Sequence, residues 1–319
     1  MDIFDEKDVK PMLIGADAEA FDDPDFLYEL KLDGERAIVY LDPKHGTELR
    51  NKRNKRMLPI FPELSELHRQ AKGRCILDGE YIVLKDGKPN FSEVQRRSLM
   101  SNPFKIRLAA DKLPASFVAF DILYLDGAQL TGLPLTERKD ILRGTVSESG
   151  RMAVSRVVER GGVELYKLTE RAGLEGIVAK RRDSRYYLDK RTKDWIKCKN
   201  LLDDDFVVCG YIRKSDHMTS IVLGQYDGPT LVYKGHVTLG VSGEDFRRIE
   251  AHNTVAAPAM EVPAGHENEQ AEWITPDLVC TVKYMERTAN GGMRQPVFKG
   301  LRDDKAAHEC KVVNDDCHI

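Results

Sequence analysis

The first two-thirds of the chain alternate between two hydrophobic periods. Runs of period two, rich in β-branched and aromatic residues, predict strands in FLYELKLDGERAIVYL (26–41), CILDGEYIVL (75–84), SFVAFDILYL (116–125), EGIVAK (175–180) and DWIKCK (194–199). The first of these reads as two strands around an Asp-Gly turn. Between them PELSELHRQAK (62–72), PLTERKDILRGTV (134–146) and VELYKLTERAG (163–173) have helical spacing, the second with Thr136 as its expected N-cap. The pattern changes at the acidic joint LLDDD (201–205). Beyond it come FVVCGYIR, TSIVLGQYD, TLVYKGHVTL, LVCTVKYMER and PVFKGL, with one helix at 244–252 behind Ser242. Five short strands interrupted by one helix suit a small β-barrel of the OB type. The expected fold class is therefore α+β: a mixed α/β domain over 1–202, a hinge at 203–206, an OB-fold barrel over 207–310 and a tail at 311–319.

Charge changes this picture only locally. The net charge of −3 argues against a polyanionic partner, but it hides segregation. Residues 1–30 carry ten acids against two lysines, whereas 180–199 carry nine Lys/Arg against three Asp, and RNKRNKR (50–56) adds a second basic block. Phosphate backbones respond to the patch and not to the sum, so a nucleic acid stays in play beside the plainer reading of solvated faces. No apolar run approaches the length of a membrane span, and the acidic N-terminus lacks a basic-then-apolar signal pattern, so neither a membrane nor export is expected. The six cysteines form no CxxC pair and read as reduced thiols of a cytoplasmic protein. His308, Cys310, Cys317 and His318 could hold zinc, but an ordinary polar tail is the preferred reading.

Candidate chemistry starts at Lys31, in Glu29-Leu30-Lys31-Leu32-Asp33-Gly34-Glu35-Arg36. Strand alternation places Phe26, Tyr28, Leu30 and Leu32 on an apolar face and Glu29, Lys31 and Asp33 on the other. A lysine among polar groups beside a tight turn can be a nucleophile, but the same pattern suits a surface hairpin with salt-bridging charges. In DWIKCK, alternation puts Trp195, Lys197 and Lys199 together, where two lysines can stabilise charge developing on a phosphate.

The rest of the chain completes a set. KLDGER (31–36), the RNKRN block, FVAFDILYLDG (117–127), EGIVAK (175–180), DWIKCK (194–199) and RQPVFKGLRDDK (294–305) resemble, in order, the six motifs of the ATP-dependent DNA ligases. These belong to the covalent nucleotidyltransferases, with RNA ligases and capping enzymes. The C-terminal segment most resembles the ligase modules of bacterial end-joining ligases.

The resemblance implies that Lys31 attacks the α-phosphate of ATP and holds AMP as a phosphoramidate. An amine attacks only when neutral, so Lys197, Lys199 and bound metal are expected to ease loss of its proton. Glu29 would accept from the adenine 6-amino group, with Leu30 beside it in the nucleotide pocket, and Phe120 would stack on the ring. Arg36 and Arg53 would hold ribose and the incoming 5′-phosphate, although Arg50 or Lys52 could take the place of Arg53. Glu80 and Glu175 would bind Mg²⁺, with Mn²⁺ as an alternative. Glu80, Lys180 and Arg191 would contact the nucleotide, Lys180 only if a bulge or strand start frees Glu175 from strict alternation. Arg302 and Lys305 would orient the departing pyrophosphate from the second domain, which must then close and swing away about the hinge. The implied partner is nicked duplex DNA, sealed by a minimal two-domain monomer in a bacterial or phage-infected cytoplasm, with a DNA-end-binding or repair partner. Neither a preceding helical DNA-binding domain nor fused polymerase or phosphoesterase modules are expected. The alternatives are an RNA ligase, a GTP-using capping-type enzyme, or a catalytically silent DNA-binding scaffold.

Overall fold

A computed structural model describes residues 2–214, 218–288 and 291–312. The chain forms two units, residues 1–200 and 201–319.

The first unit holds two sheets. In the four-stranded one the order is Leu13–Asp17, Arg191–Lys199, Gly176–Arg181, Phe26–Leu30. The seven-stranded one runs Gly46–Asn51, Glu35–Asp42, Cys75–Lys85, Ala115–Leu125 along its main path, with Met152–Val154 parallel to the last. Between the sheets lies a core of Ile38, Tyr40, Ile76, Leu123, Val178, Tyr186 and Trp195. The opposite face of the larger sheet carries the main core, including Leu77, Phe117, Leu142 and Met152.

FLYELKLDGERAIVYL does form two strands, yet they are not a hairpin. Phe26–Leu30 pairs with Gly176–Arg181 in one sheet, and Glu35–Asp42 pairs with Cys75–Lys85 in the other. The KLDG segment is thus the crossing from sheet to sheet, and Lys31 sits at its start. Gly34 lets this crossing pass close to its neighbour, because a Cβ there would lie 2.4 Å from the Tyr81 carbonyl oxygen.

Two helix expectations change. PELSELHRQAK forms two short 3₁₀ turns, Pro62–Leu64 and Leu67–Gln70. The helix Leu135–Thr145 starts behind Pro134 without a side-chain cap, so Thr136 lies inside it. Its buried stripe is Leu135, Arg138, Lys139, Leu142 and Thr145, a helical face that includes two cations.

In the second unit, Leu202–Arg213 is flanked by Thr219–Asp227 and Val279–Tyr284, and Thr230–Val237 and Val297–Arg302 lie outside these. Leu239 meets Val297 in a parallel bridge that brings the two outer strands together, giving the OB-fold barrel. Gly243–Glu250 is the interrupting helix, and the Ser242 hydroxyl accepts from the Asp245 N–H. Residues 203–206, expected as a hinge, lie inside a strand: Asp203, Asp204 and Asp205 are in register with Lys283, Val282 and Thr281. Backbone ladder bonds leave no free joint there; the division falls between Asn200 and Leu201. Cys310 is buried in the second unit's core, while Cys317 and His318 lie outside the described residues. No helix among the described residues is long and apolar enough to cross a membrane.

Candidate active site

Lys31 is held at two points. Its backbone N–H donates to the Gly176 carbonyl at 2.9 Å, and its Nζ lies 2.8 Å from Glu175 Oε1. Gly176 is in turn paired with Lys199 across the next strand. The three meet because Gly176 has φ +127 and no Cβ; one there would stand 2.2 Å from the Cys198 carbonyl oxygen. The strand begins at Gly176, so Glu175 precedes it and escapes its alternation. Glu175 is therefore not bound to the strand face opposite Lys180, although the two are an odd number of residues apart.

A second carboxylate comes from the other sheet. Glu80 is paired with Arg36, and its Oε1 accepts from the Gly34 N–H at 3.0 Å. Burial pushes the Glu80 carboxyl up to about 7, with Lys31 opposing and Glu175 adding to the rise. Glu175 is also raised, by burial first, against the pull of Lys31. Burial lowers Lys199, and the neighbouring Lys31 and Lys197 charges reinforce this. Lys197 itself pairs with Asp17 at 3.2 Å.

Deeper along the same sheet face lies a buried charge cluster. Glu29 and Lys180 are 1% and 3% exposed, and Lys180 Nζ is 3.0 Å from Glu29 Oε1. Lys139 Nζ reaches the same oxygen at 2.5 Å. Burial alone would raise the Glu29 carboxyl; the two ammonium groups outweigh it and hold it low. Burial brings Lys180 down to about 8, against the attraction of Glu29. Lys180 Nζ also stands 4.2 Å from the Phe120 ring centroid. The pairing between Cys75–Lys85 and Ala115–Leu125 steps from Asp78↔Asp121 to Gly79↔Ala119, so Phe120 is the extra residue of a bulge. Bulges re-aim side chains, and this one leaves the ring half-buried, edge-on to Trp195 at 6.0 Å.

Other expected residues sit apart or are engaged. Arg36 makes a bidentate pair with fully buried Asp78, at 3.0 and 2.6 Å, and the Tyr186 hydroxyl donates to the same carboxylate at 2.6 Å. Its fork is therefore turned to Asp78, with Phe120 and Trp195 beside it. Arg53 is exposed on the turn after Gly46–Asn51, where its N–H donates to Asn51; Arg50 is tied to Glu48. Arg191 is exposed at the far end of its strand from Lys199 and donates to the Ile14 carbonyl. The structure brings neither Arg53 nor Arg191 to the Lys31 cluster. Leu30, 39% exposed and opposite Ile177, is not in the apolar core where alternation had placed it. In the second unit Arg302 and Lys305 converge on Asp205 Oδ2 at 2.8 and 2.7 Å, while Thr281 donates to Oδ1.

Sequence reasoning missed Lys139, Asp78, Asp205 and Tyr186. The signal for Lys139 was present: in Leu135, Arg138, Lys139 and Leu142 two cations occupy positions of an apolar helical stripe. Charges there need buried partners, and Arg138 finds Asp121 while Lys139 finds Glu29.

The cluster combines a lysine paired with one carboxylate and acting on a second, further lysines around it, and a half-buried aromatic ring under Lys180. Residues 11–199 match the family described as ATP dependent DNA ligase domain, and residues 214–305 match the ATP dependent DNA ligase C terminal region. The chain belongs to the ATP-dependent DNA ligases.

Among curated ligases, it is 30% identical over 299 residues to the multifunctional non-homologous end joining protein LigD of Pseudomonas aeruginosa, covering 89% of this chain and 34% of that one. It is 28% identical over 302 residues to the SPbeta prophage-derived DNA ligase-like protein LigB of Bacillus subtilis, covering 92% of this chain and 99% of that one. The chain thus spans about a third of the length of the LigD proteins and nearly all of LigB. A solved structure of a mycobacterial DNA ligase D, complexed with ATP and MES, matches with 28% identity and a TM-score of 0.56, covering 95% of this chain and 98% of that one.

Proposed function

We propose that this ligase seals nicks in duplex DNA, taking AMP from ATP onto Lys31, then onto the 5′-phosphate of the nick, and releasing it as the 3′-hydroxyl attacks. The observation that carries this is the Lys31 Nζ held 2.8 Å from Glu175, where Glu80 and Lys199 also act on it. In the first step the Nζ–Pα bond forms, the bond from Pα to the bridging oxygen breaks, and that electron pair leaves with pyrophosphate. Glu175 is placed to receive the ammonium proton. Lys199 and Lys197 stabilise negative charge developing on the phosphate. Phe120 stacks on the adenine, and Glu29 accepts from its 6-amino group, with Lys180 and Leu30 lining the pocket. Arg36, turned to Asp78, shapes the pocket wall more than it grips ribose.

Glu80 and Glu175 fit a divalent ion. The Glu175 charge adds to the rise of the Glu80 carboxyl, a repulsion that a cation between them would relieve. Mg²⁺ or Mn²⁺ would take its remaining ligands from phosphates and water. When bound, the ion neutralises phosphate charge during transfer.

Arg302 and Lys305, gathered on Asp205, are a ready-made anion site for the pyrophosphate. Closure of the second domain over ATP would turn about Asn200–Leu201. Exposed Lys52, Arg53 and Lys55 offer cations to DNA, and Arg53 suits the 5′-phosphate better than ATP from this turn. The expected setting is a cytoplasmic monomer in DNA end joining or repair, working with a DNA-end-binding partner; free, buried cysteines agree with a reducing compartment.

The test is incubation with α-³²P-labelled ATP or GTP and Mg²⁺, followed by denaturation. Label from ATP that chases onto nicked DNA with a sealed product supports the proposal. Label from GTP indicates a capping-type enzyme, and label chased only by RNA an RNA ligase. No label, in protein free of bound AMP, leaves a silent DNA-binding scaffold.

A further inference from the structure

The basic turn that follows Gly46–Asn51 is built on one side chain. Asn51 Oδ1 accepts from the Arg53 and Lys55 N–H groups, both at 3.0 Å, and the Asn51 N–H donates to the Lys55 carbonyl at 3.0 Å. The Asn54 N–H donates to the Asn51 carbonyl at 2.8 Å, and Asn54 takes φ +62 to close the loop. Lys52, Arg53 and Lys55 are all exposed on this turn, closely spaced like charges that repel one another.

An acid that the chemistry above does not use holds the Asn51 amide. Glu35, half-buried at the start of Glu35–Asp42, accepts from Asn51 Nδ2 through Oε1 at 2.9 Å and from the Ser98 hydroxyl through Oε2 at 2.8 Å. Ser98 ends the helix Phe91–Ser98. A carboxylate only accepts and a backbone N–H only donates, so a single orientation of the Asn51 amide serves both sides. Glu35 fixes that orientation and ties the turn to the helix. The preceding Gly34 N–H is bonded to Glu80 Oε1 at 3.0 Å, so the tie runs back to the Lys31 cluster. A negative charge works against a phosphate nearby, so what Glu35 contributes beside a basic turn is position.

We infer that Glu35 is a positioning residue: through Asn51 it sets the turn that presents Lys52, Arg53 and Lys55 to DNA at the 5′-phosphate, and so acts on AMP transfer to DNA and not on AMP loading. This rests on reading the turn as a DNA contact. Without Glu35 the Asn51 amide is free to swing, and the cations lose their common frame. In Glu35→Gln the amide oxygen still accepts from Asn51 and the NH₂ donates to the Ser98 oxygen, so the grip survives without the charge.

The test times the two steps apart. The full chain is labelled with α-³²P-ATP and Mg²⁺, freed of nucleotide, and mixed with a subsaturating nicked duplex whose 3′ side of the nick is a dideoxynucleotide. Label then reaches the 5′-phosphate and stops there. Glu35→Ala and Asn51→Ala should each slow transfer by about tenfold, the range of one charged hydrogen bond, while labelling by ATP stays within about twofold of the parent. The double variant should also be about tenfold slow and not a hundredfold, because both changes remove one tie. Glu35→Gln should return transfer to within about threefold of the parent. Losses that multiply in the double variant would mean that the two side chains act separately. Equal slowing of both steps would make Glu35 a residue of the fold alone, and a Gln variant as slow as Ala would show that the charge matters and not the grip. Each of these overturns the inference. Should Glu35→Ala lose its thermal unfolding transition, Glu35→Asp, one methylene shorter, is read in the same two assays. Lys52→Ala, Arg53→Ala and Lys55→Ala combined test the DNA contact by itself. Unchanged transfer there removes that reading and the inference with it, whereas slow transfer there beside normal transfer in Glu35→Ala overturns only the role of Glu35.

Discussion

Lys31 and Lys199 flank Gly176 in register, one hydrogen-bonded to its carbonyl and the other its partner on the next strand. Two cations meet across a residue without a side chain, next to the Glu175 carboxylate. Lys31 is ion-paired with Glu175 at 2.8 Å. We predict that Lys31→Ala abolishes labelling of the chain by α-³²P-ATP while still allowing sealing of a nick that already carries 5′-AMP. Residual label in that variant would move the nucleophile elsewhere.

The Glu29 cluster predicts an asymmetry in stability. Glu29→Ala leaves two buried ammonium groups facing each other without a carboxylate, and should lower stability by about 3–5 kcal/mol. Lys139→Met leaves a balanced pair and should cost well under half of that. Urea titrations of the two variants check the order; equal losses would contradict the cluster as described.

Glu80 predicts a pH dependence with a definite sign. Burial raises its carboxyl to about 7, against an unfolded value of roughly 4.3. Between these the folded chain binds more protons than the unfolded one, so the metal-free protein loses stability through this group as pH rises across that window. Glu80→Gln should therefore be more stable than the parent at pH 8, and the gap should close at about pH 4 to 5. Denaturant titrations in chelator at both pH values measure this. Mg²⁺ should narrow the gap at pH 8 by stabilising the parent alone, and a gap unaffected by pH would count against the assignment.

Asp205 holds Arg302 and Lys305 through one oxygen. With Asp205→Ala the two cations lose their shared anchor. Adduct formation from ATP should then fall by about tenfold to a hundredfold, the range of one charged hydrogen bond. Sealing of pre-adenylated nicked DNA, which releases no pyrophosphate, should change far less. A comparable loss in both assays would show that Asp205 acts on DNA or on folding.

The sequence by itself determined the two-domain division and most strands. Each of these is local. Alternation in DWIKCK put Trp195 and Lys197 on one side, and the strand pairing agrees, with Lys180 opposite Trp195 and Val178 opposite Lys197. The order of the motifs carried the family. Tertiary structure alone decided which distant segments meet. KLDGER looks like a hairpin because both strands and the turn are locally well formed, but their hydrogen bonds go to strands 34 to 46 residues away in one case and 147 to 155 in the other. Leu30 is exposed because the strand ends there, which alternation does not report. The 201–205 acids resemble a joint by composition, yet Arg287, Arg302 and Lys305 bind Asp204 and Asp205 from distant positions on the same barrel. Lys139 stood out as a cation in an apolar helical stripe, but its partner Glu29 became legible only when the helix met that strand. A period gives the direction in which a side chain points from its own backbone; what it then touches depends on pairing and packing between segments far apart in the chain.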